Sequence, residues 1–305
     1  MNDSEIRTEM RCGYVAIIGK PNVGKSTLLN AFMGQKISIV SAKPQTTRHR
    51  VLGILSSDTS QIIFLDTPGL LQPKYLLHET MMNAARSAIL DANLVLLMIE
   101  AGSDRAVDEA VLGQAMSMLT EMKRPVYLVI NKIDLVSKDV VLETIARHAS
   151  TAMFREIYPI SALKEVSVGD LLKGIASELP FHPPLYPPDI ISEHPEKFFV
   201  SELVREKIFE KFRDEVPYST TVEIIEFTEA ENKKDVIRAE IYVERDSQKG
   251  ILIGKQGAAL KELGTLARKE IEEFLGRPVF LDLHIKVREH WRDDEAWLRR
   301  LGYES

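Results

Sequence analysis

The sequence predicts an α/β domain built on a mostly parallel sheet with helices on both faces, followed by a smaller α+β domain. Three observations carry this. Over residues 1–180, short apolar and β-branched runs alternate with helix-length stretches, the pattern of strands buried on both faces. Near Pro180 the alternation stops in a proline-rich stretch, "PFHPPLYPPDIISEHPEKF". Beyond it, "TTVEIIEF" and "VIRAEIYVE" alternate strictly, as half-buried strands do. A chain of 305 residues has length for about two domains. The boundaries read as 1–180 for the first domain, 181–198 for a stiff linker and 199–305 for the second.

Each element has a local cause. "YVAIIG" (Tyr14–Gly19) is apolar, β-branched and runs into a glycine loop followed by the helical "STLLNAFMG". "QIIFLD" (Gln61–Asp66), "NLVLLMIE" (Asn93–Glu100) and "PVYLVINK" (Pro125–Lys132) read as further buried strands, and "REIYPIS" (Arg155–Ser161) as a shorter one. Helical patterns fall between them, for example Arg105–Glu121. In the linker, residues before proline are pushed away from helix. Phe199–Val216 then reads as an amphipathic helix. Two strands, two helical pieces around Gly254–Gly257, the strand "PVFLDLHIKV" and a short closing helix in "DDEAWLRRLGY" follow. The order of the second domain is α-β-β-α-α-β.

Composition excludes several classes. Hydrophobic and charged fractions of 45% and 28% are those of ordinary globular protein. A net charge of −6 gives no general attraction to nucleic acid or anionic membrane, so any RNA contact must be a local patch. The single cysteine, Cys12, allows no internal disulfide and reads as buried near the start of a strand. No apolar run reaches the roughly 20 residues of a membrane span. The polar N-terminus carries no signal-peptide pattern. A cytoplasmic location is expected.

The chemistry is concentrated at strand ends. "GKPNVGKS" (Gly19–Ser26) fits G-x-x-x-x-G-K-S between a strand and a helix. Its glycines let backbone N–H groups face phosphates, and the helix N-terminus adds a favourable dipole. Lys25 can reach the β- and γ-phosphates, and the Ser26 hydroxyl can bind Mg²⁺. "DTPG" (Asp66–Gly69) follows a strand: Asp66 would hold Mg²⁺ through water, and the Gly69 N–H would sense the γ-phosphate. "NKID" (Asn131–Asp134) ends another strand. Asp134 can accept two hydrogen bonds from guanine, and as a buried, unpaired carboxylate would reject adenine. Asn131 and Lys132 would brace the base and the loop. "SAL" (Ser161–Leu163) can offer the Ala162 N–H to guanine O6. In this order, each at a strand end, the four motifs point to GTP over ATP.

"PQTTRHR" (Pro44–Arg50) sits where a switch segment belongs. A threonine there can bind Mg²⁺ when the γ-phosphate is present. Thr47 is preferred to Thr46 because it lies nearer the next strand; a polar loop with local hydroxyl turns is the plainer reading. Where Ras-like enzymes place a water-orienting Gln, this chain has Leu70 and Leu71, with Gln72 displaced. Two readings of Asn22 stay open. Its amide could help hold K⁺ beside the phosphates, or it could stabilise its own loop.

Together with "GKPNVGKSTLLN", "PQTTRHR", "DTPG", "NKID", "SAL" and the linker, "ILIGKQGAALKELG" and the closing "LDLHIKVREHWRDDEAWLRRLGY" make the chain resemble the bacterial Era GTPase family along essentially its whole length. The resemblance implies a P-loop GTPase domain followed by a type II KH domain. It implies a monomer that binds the 3′ end of small-subunit (16S) ribosomal RNA, assists assembly of the 30S subunit and associates loosely with the inner membrane. Motifs and resemblance together mark the GTP contacts. They are Gly19, Asn22, Val23, Gly24, Lys25, Ser26 and Thr27; Asp66, Thr67, Pro68 and Gly69; Asn131, Lys132 and Asp134; and Ser161, Ala162 and Leu163. Ser26, Thr47 and Asp66 form the Mg²⁺ set, and Lys25, Asn22, Thr47 and Gly69 the catalytic set.

The second glycine loop, Gly254-Lys255-Gln256-Gly257, lacks the spacing of a nucleotide loop. It fits the G-x-x-G of a KH domain, which clamps the backbone of about four nucleotides. Glycine at both ends would let the phosphodiester chain approach closely. Ile251 to Ile253 and Ala258 to Leu260 would seat two helices and floor an apolar groove. From Phe199 onward 19 basic residues face 23 acidic ones, but between Arg245 and Lys269 six basic face two acidic. The RNA contacts are therefore read as Lys249, Ile253, Gly254, Lys255, Gln256, Gly257 and Lys261, with Arg245, Arg268 and Lys269 as further phosphate candidates. Trp291 and Trp297 could stack on bases, although a Trp closing a small domain is more commonly core. A second domain serving a protein or membrane partner, or tRNA, is the alternative.

Overall fold

A strand covered on both faces has no polar side to show, and the continuous apolar runs of the first domain become the middle of a parallel sheet. The computed structural model describes residues 10–103, 113, 115–116, 119, 124–149, 153–230 and 234–303. The strands are β1 Arg11–Gly19, β2 Val51–Ser56, β3 Ser60–Asp66, β4 Leu94–Glu100, β5 Val126–Asn131 and β6 Glu156–Pro159. Their order is β2-β3-β1-β4-β5-β6, with β2 antiparallel to β3 and the other neighbours parallel. Val15 to Ile18 and Leu94 to Leu97 are fully buried. The helices are α1 Lys25–Met33, α2 Leu76–Asp91, α3 Lys138–Ala149 and α4 Val168–Glu178. The expected helix over Arg105–Glu121 lies largely outside the described residues. Strand β2 was not expected: a glycine inside "VLGILS" weakens its strand signal.

The chain divides into two compact units. One comprises the chain through Ser38, Thr47–Pro73 and Met81–Glu193; the other comprises Ile39–Thr46, Lys74–Thr80 and the chain from His194. Most of the proline-rich stretch belongs to the first unit and is docked on it. Cys12 N–H donates to Pro180 O (3.0 Å), His182 N–H to Met10 O (3.0 Å) and Ile54 N–H to Ile191 O (2.8 Å). The buried Gln61 side chain holds the middle. Its Oε1 accepts from Leu185 N (2.7 Å) and Tyr186 N (2.9 Å), and its Nε2 donates to Tyr186 O (2.8 Å). A segment that cannot form helix or ladder has its polar groups satisfied partly by main chain at its ends and, at Leu185 and Tyr186, by one amide side chain. Burial also pushes the Cys12 thiol up, as expected of an inert core cysteine.

The second unit contains α5 Glu196–Lys211, β7 Thr221–Thr228, β8 Asp235–Val243, α6 Asp246–Ile253, α7 Ala258–Leu275, β9 Val279–Val287 and α8 Glu295–Arg300. Its sheet runs β7-β8-β9, antiparallel then parallel. Inward residues of β8 (Ile237, Ala239, Ile241, Val243) pack with Val200, Leu203, Val204, Leu252, Leu263 and Ile271 into one core. Helix α5 starts three residues before the expected start of the second domain, Phe199, and its polar face is buried too. Ile39–Thr46 lies on that face within the same unit. The Arg205 guanidinium donates to Thr46 O and to Glu202 Oε1 (2.7 Å). Glu206 Oε1 accepts from Val40 N (2.9 Å), and the Lys43 ammonium caps the carbonyls of Phe209 and Phe212. Each of these charged side chains has at least one partner, although the buried Nη1 of Arg205 has none among the described residues.

Gln61→Ala removes the partner of three part-buried backbone groups, Leu185 N, Tyr186 N and Tyr186 O, while the sheet core stays intact. It is expected to lower unfolding free energy by about 1–2 kcal/mol. Urea denaturation measures this, and limited proteolysis should show new cleavage near Pro184–Pro188.

Candidate functional site

The loop between β1 and α1 is held open by its own geometry. Gly24 has φ 101°, and a Cβ there would lie 2.2 Å from Asn131 Nδ2, so only glycine fits. Lys25 is buried, and its ammonium donates to Gly19 O (3.2 Å) and Lys20 O (2.8 Å). Burial pushes Lys25 down to about 8, partly offset by the Asp66 carboxylate. The cation is therefore poised among carbonyls, and anionic phosphate oxygens would be better partners. Thr27 lies in the first turn of α1. Asn22 has φ 64°, a left-handed conformation that asparagine tolerates, which supplies a physical basis for its loop role.

Asp66 ends β3 fully buried. Its Oδ2 accepts from Ser26 Oγ (2.7 Å) and Ser38 Oγ (2.9 Å). Ser26 has one hydroxyl proton, and Asp66 takes it. Thr47 Oγ1, 2.9 Å from Ser26 Oγ, is therefore the donor of that pair. Thr46 turns its hydroxyl back to Lys43 O (2.8 Å), so Thr47 alone of the two threonines joins the cluster. Asp66 Oδ1 is buried and has no hydrogen-bond partner among the described residues. Burial pushes Asp66 up, countered first by Lys25 and then by the two serine hydroxyls. An orphaned carboxylate oxygen beside two hydroxyls is a hard oxygen set, and it fits Mg²⁺. Among the described residues no group of three or more His, Cys, Asp or Glu could hold a metal elsewhere. Ser38 was not anticipated: a lone serine in "KISIVS" has no motif spacing to mark it.

The remaining motifs meet at strand ends, with two corrections. Thr67 is fully buried, and its hydroxyl donates inward to Ile17 O (2.8 Å). Pro68 is buried beside it, and the next amide past Gly69, Leu70 N, donates to Gly19 O (3.0 Å). Leu70 is buried and Gln72 exposed, so the gap in water-orienting side chains persists. Asn131 is a strut. Its Nδ2 donates to Val23 O (2.7 Å) and its Oδ1 accepts from Ala162 N (2.9 Å). That corrects the expectation that the Ala162 amide points at guanine O6. With Asn131 pinned on its far side, its carbonyl faces Ala162 and takes that proton. Ser161 is buried, its Oγ accepting from Lys164 N (3.2 Å), and Leu163 is exposed. Asp134 is exposed on a short 3₁₀ turn, so the protein by itself does not bury this carboxylate as expected. Lys132 pairs with Glu100 (2.7 Å).

In the second unit the G-x-x-G element joins α6 and α7. Gly254 (φ 70°), Gln256 (φ 51°) and Gly257 (φ 79°) all take positive φ. The two glycines differ in purpose. A Cβ on Gly254 would strike Ala259 Cβ at 2.6 Å, whereas one on Gly257 would meet nothing within 4 Å. Only Gly257 leaves open space for an approaching chain. Beside it lies a cavity of about 400 Å³ between α7 and β9, lined by Leu260, Lys261, Arg268, Leu281 and Leu283 among others. Of the residues flanking the loop that were expected to form the floor, Leu260 lines the groove, and Leu281 and Leu283 of β9 complete it. Leu252 is core, Ile253 packs on that core, and Ile251 and Ala258 are exposed. Lys255, Gln256 and Lys261 are exposed and Lys249 is half-buried. Arg268 is paired with Glu272 (2.9 Å). Neither tryptophan is a stacking platform. Trp291 is fully buried and donates to Ser219 O (2.8 Å), and Trp297 is packed against Tyr242 beneath Arg288 and Arg300.

Comparison with known proteins matches this order of parts. Residues 14–132 match the family described as 50S ribosome-binding GTPase, and residues 215–292 the KH domain family. GTPase Era of Geobacter metallireducens is 48% identical over 294 residues, 96% of this chain and 98% of that protein. A crystal structure of an Aquifex aeolicus Era variant bound to GDP·AlF₄⁻ has a TM-score of 0.92 at 43% identity, covering 97% of this chain and 100% of that one. A crystal structure of Era in complex with MgGDPNP and nucleotides 1506–1542 of 16S ribosomal RNA has a TM-score of 0.91 at 43% identity, with the same coverage. Such likeness along nearly the full length, with a GTPase motif set and a KH loop in one chain, makes this protein a member of the Era family of GTP-hydrolysing enzymes.

Proposed function

We propose that this GTPase is a switch whose KH domain holds the 3′ end of small-subunit (16S) ribosomal RNA during assembly of the 30S subunit. The observation that carries it is the groove beside Gly257, apolar at its floor and edged by Lys261 and Arg268. An apolar floor accepts unstacked bases, and the cations and open glycine accept the backbone. The relative bound to 16S ribosomal RNA supports the choice of RNA over a protein or membrane partner. The protein works as a monomer in the cytoplasm, where that RNA is matured. Attachment to the inner membrane rests on family likeness alone, and no helix among the described residues is long and apolar enough to cross a membrane.

At the nucleotide, Lys25 moves from its carbonyl partners to the β- and γ-phosphates. Ser26 and Thr47 would hold Mg²⁺ through their hydroxyl oxygens, with the buried Asp66 carboxylate, whose Oδ1 has no partner among the described residues, beside them. Mg²⁺ supplies charge neutralisation at the phosphates. Asp134 reads the guanine edge, and the base itself covers the carboxylate that the protein leaves exposed. The Gly69 amide senses the γ-phosphate. Asn22 would help hold a potassium ion beside the phosphates, where it would supply the charge an arginine finger gives elsewhere, and hydrolysis rates in KCl against NaCl test that part. Ile39–Thr46 and Lys74–Thr80 lie within the second unit and adjoin the Thr47 and Gly69 motifs in sequence. They are the physical means by which nucleotide state reaches RNA affinity.

Two measurements test this. Thr47→Ala is expected to slow GTP hydrolysis by about tenfold or more with GDP affinity little changed; Thr46→Ala should do neither. Single-stranded RNA copying the 16S 3′ tail should bind more tightly with a non-hydrolysable GTP analogue than with GDP. Gly257→Asp, whose side chain enters open space, should abolish that binding with the GTPase intact. No RNA binding by an active wild type would move the second domain to a protein or membrane partner.

A further inference from the structure

Ser38 lies outside every nucleotide motif, yet it is buried at 3% exposure with its hydroxyl on Asp66 Oδ2 at 2.9 Å. Its main chain is held as tightly as its side chain. Asn30, on α1, accepts from Ile37 N (3.0 Å) and Ser38 N (2.9 Å) through Oδ1 and donates to Ser38 O (2.8 Å) through Nδ2. One asparagine therefore engages both polar backbone groups of Ser38 and fixes the main chain from which its hydroxyl reaches Asp66. The result is a buried chain of hydrogen bonds from α1 through Ser38 to the carboxylate.

Position along the chain adds a second argument. The first unit breaks off after Ser38 and resumes at Thr47. The hydroxyls at both ends of this excursion converge on the same pair: Ser38 on Asp66, and Thr47 on Ser26. Thr47 bonds only to a hydroxyl that is itself a candidate metal ligand, so it is the end that exchanges when the metal arrives. Ser38 bonds to the carboxylate oxygen turned away from the orphaned Oδ1, so it has no reason to let go. When Ser26 turns its oxygen to a metal, Ser38 still fixes the rotation of the Asp66 carboxylate.

We infer that Ser38, set by Asn30, is a positioning residue for the magnesium site: it holds Asp66 Oδ2 so that Oδ1 faces the ion's water shell. Partners behind a metal site are worth about 10–100-fold in metal affinity. The hydroxyl also roots the fixed end of the switch segment, with Thr47 its exchangeable end.

The test is release of a fluorescent GDP from the full-length protein as a function of free Mg²⁺, with GDP affinity in EDTA measured alongside. Ser38→Ala is expected to raise the half-saturating Mg²⁺ concentration by about tenfold, with the EDTA affinity unchanged within about twofold. Ser38→Cys is nearly isosteric and keeps the site filled while its thiol donates only weakly. It should shift Mg²⁺ dependence in the same direction, with the melting temperature of the nucleotide-free protein close to wild type. Ser38→Thr, which keeps the hydroxyl, should restore the wild-type curve. An unchanged Mg²⁺ curve in Ser38→Cys would overturn the inference. So would equal weakening of GDP binding with and without Mg²⁺, since that is the mark of a merely structural role.

Discussion

A carboxylate taken out of water has to be surrounded by donors, and Asp66 imposes that requirement on the whole nucleotide domain. Its partners come from separate stretches of chain: Lys25 and Ser26 where α1 begins, and Ser38 where the chain leaves the first unit. Thr47, on the return, reaches the cluster through Ser26. The parallel sheet makes this meeting geometrically simple, because β1 and β3 lie side by side and end together. The donors that make a buried carboxylate tolerable are also those that a magnesium nucleotide would use. Stability of the free protein and chemistry of the loaded one thus draw on one cluster of hydroxyls, with Ser26 and Thr47 free to exchange and Ser38 staying on the carboxylate.

Asn131 supplies the corresponding constraint at the base side. One amide ties the phosphate loop through Val23 and the last loop through Ala162, and it sits where a Cβ on residue 24 would be. The residue that sequence reasoning assigns to the base is in the protein first a tie between loops. Asp134, three residues further on, can remain exposed, because Asn131 ties the loops together.

The second unit solves a different problem, presenting a cationic edge on a domain whose charges otherwise cancel. Ion pairs across the open sheet face, such as Arg238 with Glu226 and Lys286 with Glu240, consume charge there. Lys255 and Lys261 remain exposed around the glycine loop. Helix α5 carries buried charges on its outer side because Ile39–Thr46 covers them: Arg205 and Glu206 gain partners there, Thr46 O and Val40 N, that no neighbour in sequence could provide, while Glu202 pairs with Arg205 within the helix.

The strands, the glycine loops and their order were legible because they depend on local rules. Buried strands must be apolar, phosphate loops need glycine and a lysine at fixed spacing, and two helices joined by G-x-x-G need positive φ. By itself the sequence determined the fold class, the nucleotide motifs and the KH order of the second domain. Only tertiary structure decided the rest. It chose Thr47 over Thr46, brought Ser38 to Asp66 and gave the Ala162 amide to Asn131. It added Leu281 and Leu283 of β9 to the floor of the groove, separated the roles of Gly254 and Gly257, and turned both tryptophans inward. Each of these depends on which side chain meets which across tens to hundreds of residues. Hydrogen bonds and steric contacts of that kind leave no periodicity or spacing in the chain, because their geometry exists only once the core has closed.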